Sequence, residues 1–384
     1  MGCFAMIYFD NAATTLIKPN EVYKAMLDSA KRCGNPGRSG HKPSMVAMER
    51  VFECRSNLAD LFCVKEAERV VFTSNSTHAL NIAIKSILKD GGHALISGYE
   101  HNSVVRPLEF MKCDGVTYTV VKSKLFDKCD AYRAFKDAFN NNKVSCVIIN
   151  HISNVFGNEM PIEEIDDLCF RNNVPLIVDI SQSAGINRID VSSFKSVAYF
   201  CMPGHKALFG PQGTGVLICC NDKYLYSTMQ GGTGSVSMSF NQPEFLPDIF
   251  ESGTLNVPGI SGLNAGVKFV GNIGLGTIER IHKKLTDYFV EKIRRINSVK
   301  CFTGETHNHG VISFMIVNRD CEDICEALAK CEICVRGGLH CSPLAHGMSE
   351  TLERGLIRVS FSLFNKTLEI DSFCEILRKI IRNN

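Results

Sequence analysis

The sequence lacks strong charge of either sign: 42 Lys and Arg stand against 40 Asp and Glu, a formal net charge of +2 over 384 residues. No long basic run overrides that balance, so neither a nucleic-acid groove nor an acidic partner is expected, and a small polar substrate is. Any apolar run long enough to span a bilayer is also missing. No basic region precedes a long apolar one, and Met6 stands where a myristoylation signal would carry Ser or Thr. A soluble, cytoplasmic protein is the expectation. No Cys-x-x-Cys pair has a matching second pair, which argues against a structural zinc site, and no metal is expected. Internal repeats and low-complexity tracts are absent.

Cysteine is plentiful, at 18 residues. The cysteines are scattered through apolar stretches such as Val-Leu-Ile-Cys-Cys, which reads as reduced, buried thiols and not as a disulfide scaffold. Hydrophobic residues make up 45% of the chain, enough for a large core or for two domains sharing an interface.

Helical spacing runs from Pro19 to about Lys31 and from Pro43 to about Leu61, each with a proline near the first turn, where its missing N–H matters little. Between them, Cys-Gly-Asn-Pro-Gly-Arg-Ser-Gly-His (33–41) must be a loop. From there to about residue 220, β-branched runs at Arg69–Thr73, His93–Ser97, Val116–Val121, Val144–Asn150, Pro175–Asp179, Val197–Cys201 and Gly215–Cys219 alternate with helix-like stretches. That alternation predicts an α/β fold with a mostly parallel sheet covered by helices. The Gly-, Ser- and Pro-rich segment from Gly231 to Pro258 reads as a long functional loop, followed by a helix from about Gly259 and another from Leu275 to about Asn297. The pattern then changes to strands at Gly310–Val317, Ile333–Val335 and Gly355–Ser360 with helices at Cys321–Lys330 and Leu368–Arg382. We expect a large domain over 16–284, and a smaller α+β C-terminal domain over 285–384 joined by residues 1–15.

In an open sheet of this kind, ligands collect at the carboxyl ends of the strands. Ser74–Thr77, His101, Asn154, Asp179 and Lys206 each follow or end a different predicted strand, so five segments converge on one rim. Asp179 ends the run Pro-Leu-Ile-Val-Asp, and Lys206 lies in Met-Pro-Gly-His-Lys-Ala-Leu-Phe-Gly. A lysine can form a Schiff base with the aldehyde of pyridoxal phosphate, and an anionic Asp can hold the pyridine nitrogen protonated so that the ring becomes an electron sink. Alone, each residue has a bland reading: an Asp ending a strand is common, and a lysine in a Gly-rich segment is usually solvated.

The wider pattern is more specific. Tyr-Phe-Asp-Asn-Ala-Ala-Thr-Thr (8–15), Phe-Thr-Ser-Asn-Ser-Thr-His-Ala-Leu-Asn (72–81), Glu-His-Asn-Ser (100–103), Asn-His-Ile-Ser-Asn-Val-Phe-Gly (150–157), Val-Asp-Ile-Ser-Gln (178–182), Gly-His-Lys (204–206), Glu-Ser-Gly-Thr-Leu-Asn (251–256) and Arg-Gly-Gly-Leu-His-Cys (336–341) occur in this order. Together they resemble the cysteine desulfurase and selenocysteine lyase group of class V pyridoxal phosphate-dependent aminotransferases, in its shorter-loop branch, over nearly the whole chain. The resemblance implies the transferase fold of type I.

It also implies roles. Lys206 would carry the cofactor, Asp179 would face its ring nitrogen, Gln182 would bind its ring hydroxyl and His101 would stack on the ring and shuttle protons. Ser76, Thr77 and His205 would bind its phosphate, as the N-terminus of a helix can, and Thr254 would reach the phosphate of a second subunit in a homodimer. Asn75 and Pro203 depart from the family, which often has Gly and a hydroxyl there. Arg358, in an apolar strand-like run that demands a partner for its charge, is placed as the family's substrate-carboxylate arginine. Asn11, Ala13 and Asn154, which would also contact the cofactor, would neighbour that carboxylate, with Arg336, Arg38 and His41 at the mouth.

Cys341 decides between reactions. A desulfurase needs a mobile thiolate near the substrate sulfur, and the Gly-rich segment stopped by Pro343 predicts an accessible loop, with Arg336 and His340 placed to lower its pKa. The expected reaction converts L-cysteine to L-alanine, leaves a persulfide on Cys341 and passes sulfur to an acceptor thiol or protein. The alternatives are a selenocysteine lyase, a transaminase or lyase of the same superfamily that does not use Cys341, and a noncatalytic cofactor-binding or sulfur-carrier protein.

Overall fold

The computed structural model describes residues 6–37, 39–304 and 309–383. A two-residue strand, β1 (Ile7–Tyr8), precedes two helices, α1 (Asn20–Arg32) and α2 (Lys42–Leu61). The strands β2 (Val70–Thr73), β3 (Gly92–Ser97), β4 (Val116–Val121), β5 (Cys146–Asn150), β6 (Leu176–Asp179), β7 (Val197–Pro203) and β8 (Gly215–Cys219) follow. Among them lie α3 (Ser76–Ile87), α4 (Asn102–Phe110), α5 (Lys128–Asn141) and α6 (Ile162–Arg171), and α7 (Val257–Ile273) and α8 (Leu275–Ile293) come next. The remainder comprises β9 (Val299–Phe302), β10 (Val311–Ile316), α9 (Cys321–Ala329), β11 (Ile333–Cys334), β12 (Arg336–Gly338), α10 (Pro343–Met348), β13 (Leu356–Ser360) and α11 (Thr367–Asn383).

The large sheet has the order β2-β8-β7-β6-β5-β3-β4. Its pairs from β7 through β4 are parallel, while β8 runs antiparallel to both neighbours. Both faces are covered, which is why its strands read as nearly continuous apolar runs. Alternate residues serve opposite faces: Val147, Ile149 and Val178 enter one core, and Cys146, Ile148 and Ile177 the other. Helix α2 turns Ala47, Val51, Cys54 and Leu58 inward at intervals of three or four, so one apolar stripe seats it on the first of these cores.

A four-stranded antiparallel sheet, β12-β13-β10-β9, forms a separate layer. Its core is aromatic, with the rings of Phe9 and Phe361 5.2 Å apart and those of Phe289 and Phe373 5.5 Å apart. Truncating such a ring to Ala typically costs about 3–5 kcal/mol. The N-terminal arm joins this layer, because β1 pairs in parallel with β11 and Asp10 bridges to Ser360. The boundary expected after residue 284 falls inside α8, a continuous helix through Ile293. Strands β9 and β12, and helix α10, were not expected; β12 contains two glycines and α10 only six residues, so neither carries a readable period.

Two connections fix the site. Asp179 ends β6 and Lys206 lies three residues beyond β7, its parallel neighbour, so both emerge at one rim. Gly185, at φ +85°, then brings the segment after Asp179 so close to the backbone after Lys206 that a Cβ would lie 2.6 Å from the Ala207 carbonyl oxygen.

Candidate active site

A cavity of about 380 Å³ opens at this rim, and the four-stranded sheet closes its other side. Lys206, Asp179, Ser76, Thr77, His101, His205, Gln182, Asn154 and Ala13 line it from the large sheet and the arm, and Arg358, Arg336, His340 and Cys341 line it from the small one. Residues separated by more than three hundred positions in sequence thus share one space.

Burial drives the electrostatics of the first group. It lowers the Lys206 pKa to about 8, against the opposing pull of Asp179, so near neutral pH a useful fraction of the amine is unprotonated. The ammonium makes no hydrogen bond to another described residue. Burial also raises the Asp179 carboxyl, and bonds from Ser181 partly offset that rise. The Ser181 N–H donates to Asp179 Oδ1 at 2.9 Å, and the Ser181 hydroxyl donates to the same oxygen. Among the described residues Oδ2 accepts nothing.

Helix α3 points its N-terminus at the cavity, beginning at Ser76 and Thr77. Asn75 is its cap: the side-chain oxygen accepts from the His78 N–H at 2.9 Å, with the backbone extended. The departure from glycine at this position therefore has a local use, since Asn caps helices well. The Ser76 hydroxyl is 2.8 Å from that of Ser181, and the Thr77 hydroxyl 2.9 Å from that of Ser103. Pro203 lies in β7 on the cavity wall and has no hydroxyl to offer.

His101 caps α4 through Nδ1, which accepts from the Ser103 N–H at 3.1 Å, leaving the proton on Nε2. Burial first, and then the charge of Lys206, lower its pKa to about 4. His205 is held in the same neutral state at about 4 by burial and Lys206, with Nδ1 3.1 Å from the Thr14 hydroxyl. The Gln182 amide donates to the Ala12 carbonyl at 3.1 Å.

The second group is more tightly bonded. Arg358 is buried, donating from Nη2 to Asp10 Oδ1 at 2.8 Å and from Nη1 to the Asn154 carbonyl at 3.0 Å. Among the described residues its Nε is buried without a partner, so the guanidinium is not fully satisfied. Arg336 donates to the other oxygen, Asp10 Oδ2, at 3.1 Å. Asp10 is thus shared by both arginines. It lies in the first motif of the chain, and the need of a buried arginine for a carboxylate was the one signal that could have assigned it.

Cys341 is exposed, and it and His340 both take left-handed φ values, 56° and 54°. His340 is buried and stacked on His346 with ring centroids 5.6 Å apart. Burial, together with the Arg358 charge, holds His340 well below the usual histidine range. It is therefore neutral, and the positive charge expected from it beside Cys341 is absent.

Several expected site residues lie elsewhere. The Asn11 amide donates to the Ser360 carbonyl at 2.9 Å, tying the arm to β13, and the residue borders a second, smaller cavity behind the site. His41 caps α2, accepting from the Ser44 N–H at 3.3 Å, and does not line the Lys206 cavity. Thr254 borders separate surface cavities beside the 229–234 segment. Its loop is anchored by Glu251, whose carboxylate takes a buried bidentate pair from Arg55 at 2.8 and 2.9 Å. Arg38 lies outside the described residues. The Asn154 amide, expected at a ligand, bonds instead to the residues on either side of Cys341.

A family model described as Aminotransferase class-V matches residues 7–373. The chain is 30% identical to a probable cysteine desulfurase from Methanothermobacter thermautotrophicus over 382 residues, 97% of this chain and 94% of that protein. It resembles the apo structure of a cysteine desulfurase from Thermococcus onnurineus with a TM-score of 0.88 and 27% identity, covering 99% of this chain and 95% of that one. Similarity to the cysteine desulfurase CsdA from Escherichia coli, at a TM-score of 0.87 and 21% identity over 98% of this chain and 95% of that one, extends the likeness of fold.

Proposed function

The chain belongs to the class-V aminotransferase family, and on that premise we propose that it is a pyridoxal phosphate-dependent cysteine desulfurase that converts L-cysteine to L-alanine. The observation that carries this reading is the meeting of Lys206, Asp179, Arg358 and Cys341 in one cavity. The similarity to cysteine desulfurases over nearly the full chain supports it.

The donor set suits the cofactor. A partly deprotonated lysine, a carboxylate with one oxygen unengaged, and a helix N-terminus bearing Ser76 and Thr77 match an aldehyde, a pyridine nitrogen and a phosphate respectively. When bound, pyridoxal phosphate supplies an aldehyde that takes up the substrate amine and a ring that accepts electrons from Cα. Asp179 would hold a proton at the ring nitrogen, His101 would cover the ring, and Gln182, His205, Ser76 and Thr77 would hold its periphery. Lys206 would anchor the cofactor, and its free amine would take the Cα proton. Arg358 takes the substrate carboxylate, with Ala13 and Arg336 beside it. The Cys341 thiolate attacks the substrate Sγ: an S–S bond forms, the Cβ–S bond breaks with its electron pair going to Cβ, Cβ gains a proton, and Cα regains the proton that Lys206 took, giving alanine. A persulfide is left on Cys341 and passes to an acceptor thiol.

We assign the large domain to 16–284 and the small one to 1–15 with 285–384, working as a homodimer in the cytoplasm. The exposed Met48 and Phe52 on α2, which border one surface cavity with Thr254, support a partner subunit over that face. Among the described residues no helix is long and apolar enough to cross a membrane.

The test is to measure sulfide and alanine release from L-cysteine, and selenide release from L-selenocysteine, in the wild type and in Cys341→Ala. The desulfurase reading predicts sulfide and alanine in equal amounts from the wild type and neither from the mutant on L-cysteine. Turnover of the selenium substrate alone would make the protein a selenocysteine lyase.

A further inference from the structure

Asn154, in the turn after β5, reaches from the large sheet to the loop of Cys341 and uses its amide from both ends. Nδ2 donates to the His340 carbonyl at 2.8 Å, and Oδ1 accepts from the Ser342 hydroxyl at 2.8 Å. These residues immediately precede and follow Cys341. Between the two arms of the pincer, His340 and Cys341 occupy left-handed φ in succession, a conformation that residues other than glycine leave unless something holds them. The Cys341 carbonyl adds one more tie, accepting from the Asn102 N–H at 2.8 Å. On its other side, the Asn154 carbonyl accepts from Arg358 Nη1 at 3.0 Å. One residue therefore touches both the arginine and the loop that bears the thiol.

We propose that Asn154 is a positioning residue that holds the 340–342 loop in its strained turn and sets Cys341 in register with Arg358; what that register serves rests on the desulfurase reading. The amide suits both partners. The His340 carbonyl needs a donor, and the amide supplies one while its oxygen takes the Ser342 hydroxyl proton. Aspartate has no donor and would set a carboxylate oxygen against the His340 carbonyl. If Arg358 binds the substrate carboxylate and Cys341 attacks the sulfur of the same molecule, their spacing must fit the span of one cysteine. Asn154 bonds to Arg358 and to the loop of Cys341 at once.

The test compares Asn154→Asp, which breaks the donor arm, with Ser342→Ala, which removes only the hydroxyl of the other arm. Hydrogen exchange reads the loop directly, whether or not the protein turns over L-cysteine. In Asn154→Asp the amides of 339–342 should exchange about tenfold faster or more, with the large-sheet strands unchanged, and Ser342→Ala should show a smaller increase confined to the same peptide. With L-cysteine, kcat for alanine formation should fall about 10- to 100-fold in Asn154→Asp while KM stays within about twofold, because Arg358 is intact and only the thiol is misplaced. Unchanged exchange at 339–342 in both variants overturns the proposal, as does faster exchange spread evenly over the whole chain. Localised exchange with wild-type kcat overturns the link to Arg358. If Asn154→Asp does not fold, Ser342→Ala decides by the same two readings. A wild type inactive on L-cysteine would refute the desulfurase reading while exchange still decides whether Asn154 holds the loop.

Discussion

The two walls of the cavity are built differently. On the large-sheet wall the reactive groups are left partly unsatisfied: among the described residues Lys206 has no hydrogen-bond partner and Asp179 uses one of its two oxygens, and His101 and His205 are kept neutral by burial. On the small-sheet wall the polar contacts are largely made already, with Arg358 bound to Asp10 and Asn154 and the Cys341 loop tied on both sides. The first wall is arranged to receive a ligand, whose bonds complete it. The second is arranged to hold a geometry; among the described residues the Arg358 Nε there has no partner and the Cys341 thiol is exposed.

The contrast breaks at different places under substitution. The largest effect belongs to Lys206→Ala, which should leave the fold intact, lower alanine formation by more than about 10³-fold and abolish borohydride fixation of the cofactor. Retained activity would mean that the first wall is not the receiving one. Next, Asp10→Asn removes the carboxylate shared by Arg358 and Arg336 and leaves buried positive charge uncompensated. Stability should fall by about 3 kcal/mol in urea denaturation. A loss under about 0.5 kcal/mol, the size of an exposed pair, would show that the second wall is not held by this contact.

Acidification tests both walls together. His101, His205, His282 and His346 have folded pKa values lowered to about 4 from 6.5. Between those limits the unfolded chain binds more protons, so stability rises with pH through that window. The urea midpoint should therefore be lower at pH 5 than at pH 7. Glu100 acts in the opposite sense. It is fully buried, with Oε1 accepting from the Ser97 hydroxyl at 2.5 Å and the Asn150 N–H at 2.8 Å and Oε2 unpartnered, and burial raises its pKa to about 8. The folded state then holds more protons from about 4.5 to 8, so this group's contribution declines as pH rises through that range. Glu100→Gln removes that slope. The variant should be less stable than the wild type by about 1 kcal/mol at pH 5 and should recover relative to it by pH 9; parallel pH profiles would contradict a neutral Glu100.

The same contrast explains what could be read from the sequence. The large-sheet wall is carried by short motifs that each follow an apolar strand, so Asp179, Lys206, Ser76 and His101 were legible as a rim once the alternation of strands and helices was seen. Arg358 and Cys341 were legible as residue types that the chemistry requires. Their supports were not. Asp10 finds its partners 326 and 348 positions away, and Asn154 acts on residues 186 and 188 positions away. No local period encodes such contacts. His340 was misjudged for the same reason, because its charge state depends on burial against His346 and on Arg358, which the Gly-rich sequence around it does not reveal. His41 and Asn11 lie in motifs near the site in sequence, but their side chains are used for a helix cap and a strand tie.

The proposed reaction requires both walls to act on one molecule of substrate. A single turnover with L-cysteine in the absence of an acceptor thiol, followed by mass analysis of the peptide containing Cys341, tests this most directly. The prediction is one added sulfur atom on Cys341 for each alanine formed, at equal rates. Alanine formed at the full rate while the Cys341 peptide stays unmodified would contradict it.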